Sequence, residues 1–218
     1  MDAVRCTVVH LVRHAATPTT GKRLPGRATG LHLSAAGRRQ AADLARQAPR
    51  LFGDVAACYS SPLERALETA SPIASGLGLD VLVDDELAET DVGTWTGRTL
   101  ASLRRSKAWA ALCARPSTFR FPGGESFADL YARVSRALNR LVEQHRGETI
   151  LVVSHADPIK VALLDALGLH LDNLGRIAVE PGSVSTIEFG SGPPLVRRLG
   201  VLALSTNDAG STPGGGTP

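Results

Sequence analysis

The sequence has few cysteines and lacks any run of apolar residues that could cross a membrane. Its three cysteines, Cys6, Cys58 and Cys113, are an odd number without the spacing of a metal site, and the first two fall in predicted buried strands. Free thiols in a reducing compartment fit this pattern. No segment approaches the ~20 apolar residues of a membrane helix, and the first residues do not form a basic and then apolar leader. We therefore expect a cytoplasmic protein without a membrane partner.

The sequence also lacks a concentration of charge of one sign. The formal net charge is +3, and the basic residues are scattered, with only short pairs such as Arg38 and Arg39. This distribution permits an anionic ligand but is not the footprint of a nucleic-acid-binding protein. The chain has 218 residues, of which 43% are apolar, so it can bury one substantial core without help.

Apolar strand-like runs alternate with helical patterns along most of the chain. Buried strands are predicted at residues 4–12, which read as covered on both faces, at 55–60 and at 149–153, and a further strand is predicted at 81–83. Helices are predicted after Ser34, from Ser61 and Pro62 as N-cap and first helical residue, from Glu125, and from Asp157 and Pro158. Residues 184–189 and 195–202 form either a closing hairpin or two separate edge strands. The alternation predicts an α/β fold, doubly wound, with a mostly parallel sheet and helices on both faces.

The domain organisation follows from what interrupts this alternation. Residues 86–120 mix short helical patterns with loop, and we find no internal repeat and no linker. Residues 205–218 consist largely of Gly, Pro, Ser and Thr and are predicted to be disordered. The prediction is one domain over residues 1–204, followed by a disordered tail.

Basic side chains are concentrated where predicted strands end. Arg13 and His14 follow the first strand, Arg65 lies just after the second, and His155 follows the strand at 149–153. In an open α/β sheet, ligands bind beyond the carboxyl ends of the strands, where helix N-termini add positive dipole ends. Two arginines and two histidines at this edge are suited to binding and orienting a phosphate.

Five motifs then resemble the histidine phosphatase superfamily, which also contains the cofactor-dependent phosphoglycerate mutases. The motifs are LVRHAAT (11–17), SSPLERALET (60–69), LAETDVGTWTG (87–97), FPGGES (121–126) and VVSHADPIK (152–160). They occur in order from about Val8 to Phe189, and their conjunction is far more specific than any one of them. The resemblance extends to a branch of phosphomutases and phosphatases. It implies a phosphoglycerate mutase-like fold with a small helical cap from Leu100 to Phe121 and around Glu125.

The resemblance also implies catalytic roles. His14 is the nucleophile: a neutral imidazole nitrogen attacks phosphorus and forms a phosphohistidine that water hydrolyses, with no metal and no cofactor. Arg13, Arg65 and His155 hold the phosphoryl oxygens. Glu89 is the general acid and must be protonated when substrate binds. Nearby arginines lower its pKa, whereas burial and the substrate phosphate raise it, and we expect the phosphate to prevail.

Other candidate residues have weaker support. Thr20, Lys22 and Arg23 follow the nucleophile in a loop where the family often contacts substrate, although a solvated turn explains the Lys-Arg pair equally well. Gly124 and Glu125 are predicted to form, with Ser126, a helix N-terminus that faces the pocket and binds substrate. Glu86 and Asp91 compete with Glu89 for the acid role, and Trp95 and Trp109 are expected to pack in the interior.

Two departures from the family pattern bear on the activity. Ala15 stands where glycine commonly follows the nucleophile, which is tolerated if the backbone there is ordinary. The segment from Gly97 to Phe121 is shorter than the mutase insertion, and its basic residues are Arg98, Arg104, Arg105, Lys107, Arg115 and Arg120. Because a mutase must retain its intermediate in a lidded basic pocket, we expect a metal-independent phosphomonoesterase for a small phosphorylated metabolite. The alternative functions are a phosphomutase and a non-catalytic phospholigand-binding regulator. The sequence is compatible with a homodimer.

Overall fold

Six strands form one mixed sheet in the structure, a computed structural model that describes residues 6–202. The strands are β1 (Thr7–Arg13), β2 (Ala57–Ser60), β3 (Val81–Val83), β4 (Thr149–Ser154), β5 (Ser183–Phe189) and β6 (Leu195–Leu202). Their order across the sheet is β3-β2-β4-β1-β5-β6. The first four are mutually parallel, and β5 runs antiparallel to both β1 and β6. The predicted α/β sheet is confirmed, and its last two strands form the hairpin alternative.

Helices cover both faces of this sheet, as predicted. They are α1 (Ala35–Phe52), α2 (Glu64–Gly76), α3 (Leu100–Leu103), α4 (Lys107–Ala114), α5 (Phe127–Gln144) and α6 (Ala156–Ala166). Alternate residues of the central strands point to opposite faces because the side-chain period of a strand is two. Val9, Leu11, Ile150 and Val152 pack with α5 and α6, whereas Val12, Leu151 and Val153 pack with α1 and α2. Burial on both faces explains why these strands read as continuous apolar runs.

Two predicted helix starts are confirmed and one is wrong. Ser34 caps α1 by accepting a hydrogen bond from the Gly37 amide, and Ser126 caps α5 in a capping box with Asp129. By contrast, α2 begins at Glu64 without a side-chain cap, so Ser61 is not its N-cap. The Ser61 hydroxyl is instead directed at a histidine, as described below.

The cysteines and the chain ends differ partly from expectation. Cys6 is exposed just before β1 and Cys113 is exposed on α4, whereas Cys58 is buried in β2, where burial raises the pKa of its thiol to about 12. All three are free thiols. The predicted disordered tail at 205–218 lies outside the described residues. Within residues 6–202, no helix is both long and apolar enough to span a bilayer.

Candidate active site

The carboxyl ends of β1, β2 and β4 place the predicted site residues side by side. Arg13 at the end of β1 pairs in register with Ser154 at the end of β4, which puts His14 next to His155. The centroids of the two imidazole rings are 5.1 Å apart. A cavity of about 390 Å³ opens here, and Arg13, His14, Thr17, Thr20, Glu89 and Asp157 are among the residues that line it.

His14 is held in one tautomer and kept neutral. Its Nδ1 lies 2.8 Å from the carbonyl oxygen of Ala15, and because a carbonyl can only accept, Nδ1 carries the hydrogen. Nε2 therefore keeps its lone pair. Burial, together with the charges of Arg65 and Arg13, lowers the pKa of His14 to about 3. The ring is thus a neutral nucleophile at any physiological pH.

The backbone after His14 is fixed by both flanking helices. The Ala15 amide donates to Thr69 Oγ1 over 3.0 Å, and the Thr69 hydroxyl donates to the Arg65 carbonyl over 2.7 Å. On the α1 side, a Cβ added to Gly37 would lie 2.0 Å from the Ala16 carbonyl oxygen, so the helix approaches this backbone too closely for any side chain. Ala15 has no positive φ, so alanine is accommodated where the family commonly has glycine.

Three nitrogen atoms at the site have no protein partner among residues 6–202. Arg13 Nη1 donates to the Val179 carbonyl over 2.6 Å and Arg65 Nη2 to the Gly26 carbonyl over 2.7 Å, which orients both guanidinium groups. The Nε atoms of both arginines and Nδ1 of His155 are buried without a hydrogen-bond partner in that part of the chain. A buried unsatisfied polar group costs ~1–3 kcal/mol, more when charged, so three of them together indicate a site for an anion.

His155 is fully buried and contacts Ser61 rather than solvent. Its Nε2 lies 2.7 Å from Ser61 Oγ, and this oxygen accepts a hydrogen bond from the Leu63 amide at 3.3 Å. Burial, followed by the neighbouring positive groups of the site, lowers the pKa of His155 well below its usual value. His155 is therefore a neutral ring whose one proton can reside on Nδ1 while Nε2 accepts from the serine hydroxyl.

Glu89 is a half-buried carboxyl group on the cavity wall, and its pKa is raised. Burial is the main cause and the nearby Asp157 carboxylate the second, and together they raise the pKa of Glu89 to about 7. The Thr90 amide, 2.9 Å from Oε1, and the charges of Arg65 and Arg13 act in the opposite direction. We expected the substrate phosphate to keep Glu89 protonated. In this structure, burial and Asp157 already raise the pKa of Glu89 in the absence of a phosphate.

Residues 9–201 match the family model of the histidine phosphatase superfamily, branch 1. The chain belongs to the histidine phosphatase superfamily. Arg13, His14, Arg65 and Glu89 all lie within the matched residues.

Relatives of this superfamily member include proteins of mycobacteria and of a thermophilic bacterium. Bifunctional protein Rv2228c of Mycobacterium tuberculosis is 38% identical over 197 residues, covering 88% of this chain but 54% of that protein. The chain thus spans about half the length of Rv2228c. Phosphoserine phosphatase 1 of Hydrogenobacter thermophilus is 32% identical over 199 residues, covering 88% of this chain and 90% of the relative.

Solved structures of superfamily members share the fold. A phosphoserine phosphatase from Entamoeba histolytica, crystallised as a mutant with phosphoserine, superposes with a TM-score of 0.78 at 27% identity, over 89% of this chain and 96% of that one. The mycobacterial glucosyl-3-phosphoglycerate phosphatase Rv2419c superposes with a TM-score of 0.80 at 25% identity, over 90% and 99% of the two chains. The predicted phosphoglycerate mutase-like architecture is therefore confirmed.

Gly124 and Glu125 are not among the residues that line the cavity, and both make close contacts elsewhere. Glu125 Oε1 pairs with Arg133 Nη2 at 2.8 Å and accepts from the Asp91 amide at 2.8 Å. A Cβ on Gly124 would lie 2.3 Å from the Asp91 carbonyl oxygen. Arg133 in turn donates to the Ala88 carbonyl over 2.8 Å. This network holds the segment that carries Glu89, so these residues position the carboxyl without lining the cavity.

Of the remaining candidate residues, some line the cavity and others form contacts elsewhere. Thr20 and Arg23 line the cavity, whereas Lys22 is not among its lining residues. Of the competitors of Glu89, Glu86 forms a surface ion pair with Arg136 at 2.9 Å, and Asp91 accepts from the Gly93 amide. Sequence reasoning missed three residues that the structure brings to the site: Ser61, Asp157 and Lys160. All three lie inside the matched motifs, but Ser61 and Asp157 were explained as parts of helix starts, and Lys160 was given no role of its own.

Proposed function

We propose that this protein is a metal-independent phosphomonoesterase that acts on a small phosphorylated metabolite through a phosphohistidine on His14. The observation that carries the proposal is the neutral His14, with a free Nε2 lone pair, beside the three buried nitrogens that have no partner in residues 6–202. A nucleophile that is not protonated and a set of donors for a phosphoryl group are the two requirements of this chemistry.

The first half-reaction uses these groups as follows. Nε2 of His14 attacks phosphorus, and the bond from phosphorus to the ester oxygen breaks on the opposite side. Arg13, Arg65 and Nδ1–H of His155 bind the equatorial oxygens, on which the negative charge is spread. Glu89 gives its proton to the departing alkoxide oxygen, so the product leaves as a neutral alcohol. The enzyme retains a phosphohistidine and a Glu89 carboxylate.

The second half-reaction restores the starting state. Water attacks the phosphohistidine while the Glu89 carboxylate takes one of its protons, the bond from phosphorus to Nε2 breaks, and inorganic phosphate leaves. Glu89 is then protonated again and His14 is neutral. A group that serves first as acid and then as base works best with a pKa near the operating pH, and the pKa of Glu89 is raised to about 7.

Hydrolysis is favoured over phosphoryl transfer between two positions of one substrate. None of the six basic residues between Gly97 and Phe121 lines the phosphate cavity, so the cap does not supply the positive lid that would retain a phosphorylated intermediate. The relatives named as phosphoserine phosphatases support the same reaction class. The activity of the longer mycobacterial relatives is not carried over to this chain.

The proposal is tested by phosphate release from a panel of phosphorylated metabolites in the presence of a chelator. We expect multiple turnovers that the chelator does not reduce, because the site holds phosphate with nitrogen donors. Isomerisation of a phosphorylated acid that depends on a bisphosphorylated cofactor, without release of phosphate, would instead assign a mutase. Tight binding of phosphate esters without turnover between mildly acidic and neutral pH would assign a non-catalytic regulator.

The Asp157 carboxylate is expected to set the upper pH limit of the reaction. Its charge raises the pKa of Glu89, whereas Arg65 and Arg13 lower it. Asp157→Asn removes the raising charge, so Glu89 loses its proton at lower pH and the alkaline limb of kcat/KM for an alkyl phosphate moves to lower pH, by roughly 0.5–1 pH unit. The measurement is the pH profile of the wild type and the variant with one alkyl phosphate.

Lys160→Gln is the matched control for this shift. Lys160 Nζ lies 3.7 Å from Asp157 Oδ1 on the next turn of α6, but it is not among the groups that shift the pKa of Glu89. The control is expected to leave the position of the limb within about 0.2 pH unit of the wild type. An Asp157→Asn profile that coincides with the wild type, or that moves to higher pH, would contradict the assignment.

A further inference from the structure

A second cavity of about 250 Å³ lies between the cap and α6. Its wall is mainly apolar and rich in rings: Leu24, Trp109, Leu112, Phe121, Phe127 and Leu174 are among the lining residues. Phe121 and Phe127 are almost completely buried, and Trp109 and Leu112 on α4 are half-buried. Trp109 was expected only to pack in the interior, and it does stack on Trp95, with ring centroids 6.2 Å apart. The structure also places Trp109 on a cavity wall.

This cavity adjoins the phosphate cavity. Leu24, Asp157 and Lys160 line both. The shared wall lies next to Glu89. Asp157, which is part of this wall, has its Oδ2 atom 3.4 Å from the hydroxyl of Thr90, and Thr90 directly follows Glu89 in the chain. Glu89 protonates the oxygen of the departing alcohol in the proposed reaction. A substrate whose phosphate is attacked by His14 therefore directs its alcohol portion toward this junction.

We propose that the second cavity is the binding site for the alcohol portion of the substrate, and that this portion is an apolar group bearing a ring. The inference rests on the proposed phosphomonoesterase activity and names its substrate class. The volume is below the ~300–1,000 Å³ of pockets for drug-sized ligands, which suits a single ring on a short chain. Aromatic side chains on the wall pack against such a ring in offset or edge-to-face geometry.

The charges at the junction argue against a zwitterionic alcohol portion such as that of phosphoserine. The only charged residues on the wall of the second cavity, within the described part of the chain, are Asp157 and Lys160. They form an ion pair with each other at 3.7 Å and are each 22% exposed. An ammonium and a carboxylate group placed beyond this pair would lose hydration without gaining a partner.

The test compares propyl phosphate, 3-phenylpropyl phosphate and phosphoserine as substrates. All three are esters of primary alcohols, so propyl and 3-phenylpropyl phosphate differ in the ring and hardly in the chemistry of the leaving group. We expect kcat/KM for 3-phenylpropyl phosphate to exceed that of each of the other two by at least ~10-fold. A smaller preference, or a preference for phosphoserine, overturns the inference.

Gly175→Leu is designed to fill the cavity without displacing protein atoms. Gly175 lines the cavity, its φ is not positive, and a Cβ added there meets no atom within 4 Å. We expect the ratio of kcat/KM for 3-phenylpropyl over propyl phosphate to fall by at least ~5-fold. Gly192→Leu is the matched control, since Gly192 has the same open surroundings in the β5–β6 turn. The control is expected to keep the wild-type ratio.

A second variant keeps the test decisive if Gly175→Leu does not fold. Leu112→Gln places an amide of similar size on the cavity wall and is expected to lower the same ratio, because the amide loses hydration when the ring binds. An unchanged ratio in the folded variant overturns the inference. Hydrolysis of propyl phosphate distinguishes a failure of the proposed substrate class from a failure of the proposed function. Turnover of propyl phosphate without ring preference contradicts the substrate class alone, whereas no turnover of any ester contradicts the proposed function and the inference with it.

Discussion

Replacement of His14 by alanine is expected to abolish turnover, with kcat reduced by at least ~10⁴-fold, because no other group can accept the phosphoryl group. The neutral Nε2 of His14 is the only nucleophile assigned at the cavity. His155 cannot substitute, since it is fully buried and its Nε2 is engaged by Ser61 at 2.7 Å. The measurement is phosphate release under single-turnover and steady-state conditions, with a search for a trapped phosphohistidine in both proteins.

The fold of the His14→Ala protein is expected to survive. His14 lies just after β1, and the hydrogen bond of its imidazole, to the Ala15 carbonyl, contributes about 1 kcal/mol to the free energy of unfolding. His10→Ala is the matched control: His10 is also a buried, neutral histidine of β1, bonded to Thr186 and packed on Phe52, but it lies outside the site. We expect the control to lose stability and keep turnover. Residual activity above ~1% of wild type in His14→Ala would contradict the mechanism.

Replacement of Glu89 by glutamine is expected to slow alkyl esters much more than aryl esters. The amide has the size of the carboxyl group but no acidic proton, and an alkoxide leaves poorly without one. General acid catalysis contributes ~10²–10⁴-fold, so we expect a loss in that range for propyl phosphate and about 10-fold or less for 4-nitrophenyl phosphate, whose leaving group is a stable anion. The measurement is kcat/KM for both esters in wild type and variant.

Glu86→Gln is the control for this experiment. Glu86 competed for the acid role in the sequence, but it lies in an exposed ion pair with Arg136, which contributes little to stability. We expect the control to affect neither ester. Equal losses for alkyl and aryl esters in Glu89→Gln would show that Glu89 acts on binding or structure and does not deliver a proton to the leaving group.

The residue patterns that predicted the fold correctly are local ones. The apolar runs that became β1, β2 and β4 are buried strands, whereas the run that became β3 is an edge strand on which Leu82 and Val83 are exposed. Ser34 caps α1 as its position before an apolar helical pattern predicts. The prediction at Ser61 was wrong because the same sequence signal fits two roles. A serine before a proline can cap a helix, but here its hydroxyl lies 2.7 Å from Nε2 of a histidine 94 positions away.

Glu125 illustrates the same limit for the site. Its motif correctly marked it as close to the catalytic machinery, but not as the partner of Arg133 that holds the segment carrying Glu89. Predicting this ion pair requires knowing the side of α5 from which the Arg133 side chain projects. That side is a matter of packing between elements, whereas the motif describes one element at a time.

The linear order of the residues was enough to predict the α/β architecture and to single out His14 and the groups around it as candidates, because strand ends and motifs are local features. Three-dimensional packing was needed to establish that Glu89 can hold a proton near neutral pH, that His155 is tied to Ser61, and that an apolar cavity adjoins the phosphate site. Burial and the effect of one charge on another depend on distances through space. Those distances are set when α6, the cap and the loop after β1 come together.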